Sequence, residues 1–432
     1  MQLAELYKVY LANPRISTDT RKIEAGSIFF ALKGANFNGN AFAQEALDKG
    51  AIYAVIDEKK YQNSEKCILV KNVLKTLQQL ATLHRKNLDI PFIAIAGSNG
   101  KTTTKELTAL VLAQKYKTFA TQGNLNNHIG VPLTILSIPK DTEIAVIELG
   151  ANHIGETVFL CQIAQPTCGV VTNIGLDHLE GFGSLEGVAK ANSELYKYLQ
   201  KNKGVIFLNT NEKELLSVLE KLKFPKKRTF TYPNEKDYLH CKLGSSDFFV
   251  SYENEQGNFI QTQLIGKYNF ANIATALCIG KYFGVAPEKM DEAILSYKPR
   301  NNRSQILHQN TNIVILDAYN ANPSSMKEAI ENFAQIQTSQ SKAVILGQMN
   351  ELGSYSYAEH QKLGKLIAEK NFDLVVLYGD EMQPALEFLP KAYFFTDKFS
   401  LHNWLKDKNL QDWFILVKGS RGVQMESVLD FL

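Results

Sequence analysis

The chain has 432 residues, of which 45% are hydrophobic and 21% are charged, and its formal net charge is +3. These values are ordinary for a globular protein, and the small net charge excludes a strong general attraction to nucleic acid or anionic membranes. The five cysteines lack CxxC spacing, which argues against a disulfide framework or a zinc knuckle. Because no apolar run approaches the roughly 20 residues of a membrane span and the N-terminus lacks a signal-peptide core, we expect a cytoplasmic protein.

The first 87 residues predict a small α/β domain. Strand-like apolar runs occupy residues 27–34 and 51–57, and a helix between them is expected to end near Gly50. Helical periodicity over residues 70–87 predicts a second helix, which Pro91 brings to an end. We therefore place the first domain at residues 1–87.

The central part of the chain, residues 88–298, alternates short apolar strands with helices. Strands are predicted at residues 92–97, 144–150, 169–175 and 204–209. Such a pattern is typical of a doubly wound α/β fold, whose parallel strands are buried on both faces. Residues 247–266 instead alternate like a hairpin with its turn near residues 254–258, and a helix is predicted from about 270 to 283.

The last part, residues 299–432, predicts a second α/β sheet. Its apolar strands are expected at residues 313–319, 343–349, 374–380 and 414–420. The chain is therefore expected to contain three α/β domains.

The stretch GSNGKTTT at residues 97–104 has the composition of a phosphate-binding loop, but its spacing is short. Only Ser98 and Asn99 separate Gly97 from Gly100 and Lys101, where the usual loop has four residues. The loop follows an apolar strand and opens a predicted helix, so its main-chain N–H groups would point at an anion. A lysine and a threonine at this place would reach the β- and γ-phosphates and Mg²⁺. A simple glycine turn with a surface lysine is the weaker alternative.

Candidate metal ligands follow two of the predicted strands. Glu148 ends the strand at 144–150, and Asp177 and His178 come soon after the strand at 169–175. The carboxyl ends of parallel strands are where α/β proteins gather their ligand sites. A lone histidine is more often structural, but one beside two other candidate ligands favours a site.

The helix at residues 184–200 raises a separate question about Lys190. Its apolar stripe is predicted to contain Leu185, Val188, Leu195 and Leu199. Lys190 lies about 200° around the helix from Val188, with Glu194 one turn later. From the pattern alone, Lys190 and Glu194 form a solvent-exposed ion pair worth a few tenths of a kcal/mol.

Eight segments of the chain together resemble the Mur ligases, the ATP-dependent amide-bond formers of peptidoglycan synthesis. They are GSNGKTTTKE (97–106), TQGNLNNHIGVPLT (121–134), ELGANHIGE (148–156), HLEGFGSLEGVAKA (178–191), GKYNFANIATAL (266–277), LDAYNANPSSM (316–326), MNELG (349–353) and VKGSRGVQME (417–426). The short phosphate loop is shared by all Mur ligases and by folylpolyglutamate synthase. TQGNLNN, ELGANH and DAYNANP are narrower, and they resemble the branch that joins D-alanyl-D-alanine to a UDP-N-acetylmuramoyl-tripeptide.

The resemblance implies a uridine-nucleotide domain, a central P-loop ATPase domain and a C-terminal Rossmann-like domain. It implies ATP and Mg²⁺ as cofactors. A monomer is expected because no coiled-coil heptads appear, and the small net charge and the lack of apolar spans predict no nucleic acid or membrane partner. It assigns the ATP phosphates to Gly97, Ser98, Asn99, Gly100, Lys101, Thr102 and Thr103. Further nucleotide contacts are implied for Asn269, Asn272, Arg303 and Asp317.

The same resemblance implies the metal and substrate residues. The implied metal ligands are Thr102, Glu148, His178 and Lys190. The implied catalytic residues are Lys101, His178, Lys190 and Arg303. In these enzymes the lysine matching Lys190 is typically carbamylated, which makes it a carboxylate-like ligand and replaces the ion-pair interpretation. Substrate contacts are implied for Asp19, Thr20, Arg21, Lys33, Asn124, Asn126, Asn127, Asn320 and Asn322.

The sequence departs from the family pattern at four positions. Asn38 and Asn40 stand where the family usually has aspartate and histidine, close to the expected uridine or sugar site. Gln348 replaces a common aspartate, and Asn302 a usual glycine. None of these changes affects the phosphate loop or the implied metal ligands.

Two other functions are alternatives to an amide ligase that acts on the tripeptide. A folylpolyglutamate synthase or an earlier-step Mur ligase shares the short loop, but the first 85 residues argue against the folate enzyme and DAYNANP against the earlier ligases. A nucleotide-binding module without catalysis is a rival of another class. Such a module has no need of the second metal set that His178 and Lys190 would form.

Overall fold

The computed structural model describes residues 2–245 and 248–432. The N-terminal unit contains three helices: α1 (Leu3–Ala12), α2 (Ala43–Asp48) and α3 (Val73–Lys86). Its strands are β1 (Ile16–Ser17), β2 (Ile28–Phe30), β3 (Lys33–Gly34), β4 (Phe37–Asn38), β5 (Tyr53–Ile56) and β6 (Cys67–Leu69). Strands β1, β2, β5 and β6 form a parallel sheet in that order, and β3 pairs with β4 as a small hairpin.

The predicted N-terminal strands and helices are confirmed, but the prediction was incomplete. Strands β2 and β5 lie within the two apolar runs, and α2 and α3 within the two helical stretches. The sequence did not predict α1, β1 or β6. Strands β1 and β6 have only two and three residues, too few for an alternation pattern to be recognised.

A six-stranded parallel sheet forms the centre of the molecule. Its strands are β7 (Phe92–Ala96), β8 (Thr118–Ala120), β9 (Ile144–Glu148), β10 (Cys168–Val171), β11 (Val205–Asn209) and β12 (Thr229–Tyr232), in the order β12-β11-β10-β7-β9-β8. The helices between them are α4 (Lys101–Ala113), α5 (Gly130–Leu136), α6 (Glu156–Ala164), α7 (Leu179–Phe182), α8 (Leu185–Lys201) and α9 (Lys213–Leu222). This is the doubly wound sheet that the apolar runs predicted.

An antiparallel sheet and two helices complete the central part. The strands are β13 (Lys242–Leu243), β14 (Phe249–Glu253) and β15 (Phe259–Ile265), and the helices are α10 (Asn269–Tyr282) and α11 (Pro287–Ser296). Strands β14 and β15 form the predicted hairpin, whose turn is closed by Asn254 N donating to Asn258 O at 3.0 Å. Asp247, the first residue of that prediction, lies outside the described residues.

The C-terminal sheet also has six strands. They are β16 (Gln305–Gln309), β17 (Asn312–Asp317), β18 (Ser341–Gly347), β19 (Leu374–Tyr378), β20 (Tyr393–Phe395) and β21 (Trp413–Lys418), in the order β16-β17-β21-β18-β19-β20. Helices α12 (Pro323–Gln335), α13 (Ser356–Ala368) and α14 (Lys398–Lys408) flank it. All pairs are parallel except β16 with β17. The two edge strands β16 and β20 were not predicted, because their half-exposed residues lack a continuous apolar run.

The N-terminal unit and the central sheet share one apolar core. Leu77 and Leu80 of α3 belong to the same buried cluster as Phe92 and Ala94 of β7 and Leu195 of α8. The alternate residues of β7 enter a second cluster on the other face of the sheet. Burial of both faces explains why β7 is apolar at every position. None of the helices in the described parts of the chain has both the length and the apolar composition that crossing a membrane requires.

Candidate active site

The phosphate loop, residues 97–100, connects β7 to the N-terminus of α4 in a conformation that requires glycine. Gly97 and Gly100 have φ values of +124° and +76°, a region that other residues rarely adopt. A Cβ atom on Gly97 would collide with the Thr172 hydroxyl, and one on Gly100 with the Asn272 side chain. The short spacing therefore gives a tight loop whose helix N-terminus faces the cavity, as an anion site requires.

Hydrogen bonds hold the phosphate loop against the segment that follows β10. Ser98 Oγ donates to Asp177 Oδ1 at 2.8 Å, and Asn99 N donates to Asn173 Oδ1 at 3.0 Å. Lys101 Nζ donates to the loop carbonyls of Gly97 and Ser98, at 2.5 and 2.8 Å. The lysine is therefore folded back onto its own loop, within reach of any anion that the loop binds.

Glu148 lies at the end of β9 beside the first turn of α4. It is 2% exposed, and Thr102 Oγ1 donates to its Oε2 at 2.9 Å. Asn126 Nδ2 donates to Oε1 at 2.7 Å, and Lys105 Nζ lies 3.6 Å from Oε2. A hydroxyl and a carboxylate together are oxygen ligands of the kind that Mg²⁺ takes, along with water and phosphate oxygens. The donor set at Thr102 and Glu148 therefore fits Mg²⁺.

His178 lies on the other side of the phosphate loop, in the left-handed conformation with φ of +44°. Its buried Nδ1 makes no aligned hydrogen bond, although Glu351 Oε2 of the C-terminal unit lies 2.6 Å away. This contact with His178 lowers the pKa of Glu351 against the opposing effect of burial. An unsatisfied ring nitrogen beside a carboxylate fits a second cation. In the described chain, however, no group of three or more His, Cys, Asp or Glu side chains is arranged around a common metal position.

The structure corrects the prediction for the helix that carries Lys190. Leu185 is 39% exposed and does not belong to the apolar stripe, because it occupies the first, solvent-facing turn of α8. Glu194 is not an exposed ion-pair partner: it is 8% exposed, and its carboxylate accepts hydrogen bonds from the N–H groups of Gly155 and Val158 at 2.8 and 3.1 Å. Lys190 itself is exposed and is not among the residues that line the large cavity. Its predicted role as a metal ligand stays a prediction.

The C-terminal unit contributes a cluster of charged and aromatic side chains. The Arg303 guanidinium lies over the Tyr319 ring, 3.6 Å from its centroid. Asp317 ends β17 and pairs with Lys418, which ends the neighbouring strand β21, at 2.5 Å. Asp317 Oδ1 also accepts from Ser304 N at 3.0 Å. These contacts bring Arg303 and Asp317 to the same wall of the cavity.

The asparagines predicted as ligand contacts do not all have free side chains. Asn272 Oδ1 accepts from Thr104 Oγ1 at 3.0 Å, and its Nδ2 donates to Asn269 Oδ1 at 2.8 Å. Asn322 caps α12 and donates from Nδ2 to Asn99 Oδ1 of the phosphate loop at 2.8 Å. Asn320 is exposed on the cavity wall. Asn322 thus joins the C-terminal unit directly to the phosphate loop.

The segment 121–127, here called the asparagine loop, connects β8 to the residues before α5. Asn124, Asn126 and Asn127 all line the cavity. The Asn126 amide binds Glu148, and Asn127 Oδ1 accepts from the N–H of Gly130 at 2.9 Å. Asn124 and Asn127 are exposed, whereas Asn126 is half-buried.

The N-terminal candidates lie away from this cavity. Asp19, Thr20, Arg21 and Lys33 are not among its lining residues. Asp19 pairs with Arg21 at 2.8 Å, and Lys33 pairs with Asp57 and Glu58, each at 2.9 Å. These residues thus form separate charged pairs on the surface of the N-terminal unit.

Asn38 and Asn40 have a structural function at that surface. Asn40 is fully buried, and its Nδ2 donates to Asn38 Oδ1 and Asp57 Oδ1 at 2.9 and 3.0 Å. Its Oδ1 accepts from Asp57 N at 2.8 Å. The departure from the family pattern at Asn40 is thus matched by a complete set of hydrogen bonds that ties β4 to the end of β5.

The cavity between the central and C-terminal units has a volume of about 640 Å³. Several of its polar residues were not among the predicted site residues: Asn173, Glu212, Tyr319, Glu328 and Lys418. Lys418 had a signal in the sequence, because a lysine at the end of an apolar strand is unusual. Glu212 and Glu328 had none, since they lie in polar stretches of loop and helix. The cavity thus brings together the phosphate loop, the Thr102–Glu148 donor set and a wall of charges of both signs from the C-terminal unit.

Three protein-family models match the chain. The Mur ligase family catalytic domain matches residues 15–90, the Mur ligase middle domain residues 95–280, and the Mur ligase glutamate ligase domain residues 302–421. A loop for nucleotide phosphates, a Mg²⁺ site and a third α/β unit closing over them define ATP-dependent ligases of this kind. The chain belongs to the Mur ligase family.

Within that family the chain is similar to one group of enzymes over almost its whole length. It is 34% identical to the UDP-N-acetylmuramoyl-tripeptide–D-alanyl-D-alanine ligase of Bacillus subtilis, covering 99% of this chain and 96% of that protein. The crystal structure of MurF from Acinetobacter baumannii superposes with a TM-score of 0.86 at 30% identity, covering 96% of this chain and 92% of that one. MurF ligase from Thermotoga maritima in complex with ADP has a TM-score of 0.83 at 28% identity, covering 98% and 97%.

Proposed function

We propose that this protein is an ATP-dependent ligase that joins D-alanyl-D-alanine to a UDP-N-acetylmuramoyl-tripeptide. One observation carries the proposal: the cavity unites the phosphate loop, Glu148 and the Arg303–Asp317 wall, in a chain similar throughout to ligases of that name. The products are the UDP-linked pentapeptide, ADP and phosphate. The domains are assigned to residues 1–87, 88–298 and 299–432, for the UDP-linked substrate, ATP and ligation respectively.

The reaction requires two steps at one place. A carboxylate oxygen of the tripeptide attacks the γ-phosphorus of ATP, the bond to the β-phosphate oxygen breaks, and an acyl phosphate and ADP result. The amine of D-alanyl-D-alanine then attacks the acyl carbon, loses a proton, and inorganic phosphate leaves. Both steps bring anions together, so the site must supply positive charge and N–H donors.

The side chains of this chain fit those needs. Lys101 would exchange the carbonyls of Gly97 and Ser98 for phosphate oxygens, and the N–H groups of the loop would bind the rest. Bound at Thr102 and Glu148, Mg²⁺ would supply charge stabilisation to the phosphate oxygens. Arg303, held over Tyr319, would contribute a fixed cation from the C-terminal wall.

The C-terminal unit would exclude water from the acyl phosphate. Its Asn322 bonds to Asn99, and its Ser324 Oγ accepts from Leu176 N at 2.9 Å, so it already contacts the phosphate loop and the segment that follows β10. An acyl phosphate hydrolyses in open water, and closure of this kind protects it.

We also propose that His178 and a carbamylated Lys190 serve a second Mg²⁺. The unsatisfied Nδ1 of His178 and the exposed position of Lys190, open to dissolved CO₂, support this proposal. Carbamylation would raise the intact mass by about 44 Da. Native mass spectrometry of bicarbonate-equilibrated protein tests it, with Lys190→Arg, which cannot carry the group, as the comparison.

We further propose that the protein is a cytoplasmic monomer that has no nucleic acid or membrane partner. The five cysteines are all free and buried, which suits a reducing compartment. Light scattering of the purified chain tests the monomeric state.

The decisive experiment measures ADP release with Mg²⁺ and ATP while each co-substrate is omitted in turn, and reads the product by mass. Turnover that requires both co-substrates and yields the pentapeptide mass supports the proposal. Release with glutamate and tetrahydrofolate instead would assign the folate activity. ATP binding without stimulation by any substrate would favour a nucleotide-binding module. Tripeptides with different third residues then identify the preferred one.

Lys101→Ala is the matching mutation. It is expected to lower kcat by at least about a hundredfold, because a preorganised donor to the transferring group is lost. Lys115→Ala is the control, since Lys115 also donates to two main-chain carbonyls, of Phe283 and Gly284, but lies outside the cavity. Full ligation by Lys101→Ala would contradict the mechanism.

A further inference from the structure

Lys105 is a buried lysine beside the candidate metal site, and it has no role in the reaction steps proposed for this protein. It lies one turn after Lys101 on α4 and is 2% exposed. It does not line the cavity, so it cannot contact a substrate directly. A buried ammonium is rare unless it is paired, and its contacts therefore indicate its purpose.

Lys105 contacts two different parts of the site. Its Nζ lies 3.6 Å from Glu148 Oε2, and it donates to the carbonyl oxygen of Gly123 at 3.2 Å. Gly123 belongs to the asparagine loop, which also holds Glu148 from the opposite side through Asn126 Nδ2. One ammonium group thus connects the phosphate-loop helix, a metal ligand and the asparagine loop.

The exposed position of Gly123 makes this connection important for the loop. Gln122, Gly123, Asn124 and Leu125 are all exposed. The loop is otherwise attached on either side of Gly123 and Asn124. Thr121 N donates to Val146 O at 3.0 Å before them, and after them Leu125 O accepts from Thr134 Oγ1 at 3.1 Å and Asn126 O accepts from Gly150 N at 2.8 Å. Lys105 therefore fixes the part of the loop that presents Asn124 to the cavity.

The surroundings indicate which substrate the asparagine loop meets. His128, just after the loop, accepts through its carbonyl oxygen from Gln78 Nε2 of α3 at 2.9 Å. Helix α3 belongs to the N-terminal unit, whereas the C-terminal unit contacts the phosphate loop through Asn99. The loop is thus on the side of the unit assigned to the UDP-linked substrate.

We propose that Lys105 is a positioning residue that holds the asparagine loop in place for the UDP-linked substrate. The choice of substrate rests on the proposed function. The arrangement also has an electrostatic consequence: a fixed cation beside Glu148 competes with a divalent cation for the same carboxylate. Lys105 therefore orders the loop while it weakens metal binding.

The test is Lys105→Met, which keeps most of the side-chain volume but removes the charge and the donor. We expect the KM for the UDP-muramoyl-tripeptide to rise roughly tenfold or more, while the KM values for ATP and D-alanyl-D-alanine change less than about threefold. We expect Mn²⁺, measured by electron paramagnetic resonance with ADP and no other substrate, to bind roughly three- to tenfold more tightly. Hydrogen exchange of residues 121–127 should become faster.

Lys115→Met is the matched control, because it removes another lysine that binds main-chain carbonyls away from the cavity. It should change none of these quantities. Lys105→Arg keeps a cation and N–H donors and should restore the tripeptide KM to within about threefold of the original.

Each outcome decides the proposal. An equal rise of all three KM values, unchanged hydrogen exchange in the loop, or weaker Mn²⁺ binding by Lys105→Met would overturn it. If neither Lys105 variant folds, the lysine serves the core and the proposal is wrong. If the unmodified protein shows no ligation of these substrates, the proposed function fails, while the Mn²⁺ and exchange measurements still test Lys105.

Discussion

Glu212 is a carboxylic acid whose pKa is raised by its position in the cavity wall. Burial is the main cause that raises its pKa from 4.5 to about 7, and repulsion from Glu214 and Glu328 adds to it. Glu328 belongs to α12 of the C-terminal unit, and burial raises its pKa as well. Two carboxylates that disfavour ionisation therefore face the same space from opposite units.

The raised pKa of Glu212 predicts a dependence of stability on pH. Below pH 4.5 this carboxyl is protonated in both the folded and the unfolded state, so its effect is absent. Between pH 4.5 and 7 the carboxyl ionises in the unfolded state before it ionises in the folded state, so stability falls as the pH rises, and the loss is complete above pH 7. Glu212→Gln should therefore match the original protein near pH 4.5 and exceed it above pH 7.5. The gain has an upper bound of about 3 kcal/mol, reduced by the remaining solvent contact of this group.

Urea unfolding of the ligand-free protein between pH 4.5 and 8 measures this difference. Glu220→Gln, at an exposed position on the neighbouring helix α9, is the control and should show a small effect, as surface substitutions usually do. A constant difference for Glu212→Gln across the whole range would contradict the assignment.

Residues next to an informative local pattern could be predicted from the sequence, and residues defined by long-range pairing could not. Lys101, Thr102 and Glu148 follow from strand, turn and helix signals within a few residues. The partnership of Asp317 with Lys418 depends on β17 lying beside β21, which are about a hundred residues apart and have other strands between them in the chain. No local pattern contains that neighbour relation.

At the scale of elements, the phosphate loop combines two separate constraints at Gly100. Its φ of +76° disfavours any other residue, and the space that a Cβ would need is occupied by Asn272. Gly257, in the turn between β14 and β15, has almost the same φ of +77° but has no atom within 4 Å of such a Cβ. The two glycines thus share the conformational constraint and differ in the steric one.

Gly100→Ala and Gly257→Ala are therefore a matched pair. Both should lose about 1–2 kcal/mol of stability to the left-handed conformation. Gly100→Ala should lose a further 1–3 kcal/mol, roughly, because Asn272 must move, and its affinity for ADP should fall. Denaturant unfolding and calorimetric titration with ADP measure the two effects. Equal losses of stability in the two variants, with unchanged ADP affinity, would show that the Asn272 side chain moves without an energetic penalty.

The burial of each element explains which elements could be predicted from the sequence. Buried parallel strands have a strong signal, because β7 is apolar at every position and β9 is apolar up to Glu148 at its end. Strand β16 lies at the edge of its sheet and has only half-buried or exposed residues, so its sequence resembles a loop. The prediction that Leu185 is buried was wrong, because a helical stripe shows which face of a helix is apolar but not where the elements that cover this face end.

At the scale of the whole molecule, the C-terminal unit docks onto residues 178–183 of the central unit. Glu180 N donates to Glu351 O at 3.1 Å, and Tyr355 Oη donates to Gly183 O at 2.7 Å. Tyr357, two residues later, instead donates to Glu387 within the C-terminal unit at 2.7 Å. Tyr355 therefore contributes to docking between the two units, whereas Tyr357 contributes only a contact within the C-terminal unit.

Tyr355→Phe should shift the molecule toward an open arrangement. Loss of one hydrogen bond of about 0.5–1.5 kcal/mol corresponds to a two- to twelvefold change in the ratio of open to docked forms. Hydrogen exchange of residues 178–183 should become faster, and the radius of gyration from X-ray scattering should increase. Tyr357→Phe should leave both unchanged. If both variants behave alike, the docking contact does not contribute to closure.

The apolar core shared by the N-terminal unit and the central sheet has a consequence for unfolding. Arg85 of α3 reinforces it, since its guanidinium donates to the carbonyls of Ala164 and Gln165 at 2.8 and 3.0 Å and lies over the Phe92 ring. Units that bury one core in common lose it together. The cluster between the C-terminal sheet and the central unit contains two buried residues of the central unit, Leu179 and Ile265, and the second C-terminal cluster contains none, so far less core is shared there. Scanning calorimetry should therefore resolve two transitions rather than three, with residues 1–298 melting as a single cooperative unit. Arg85→Met should lower the midpoint of that transition alone.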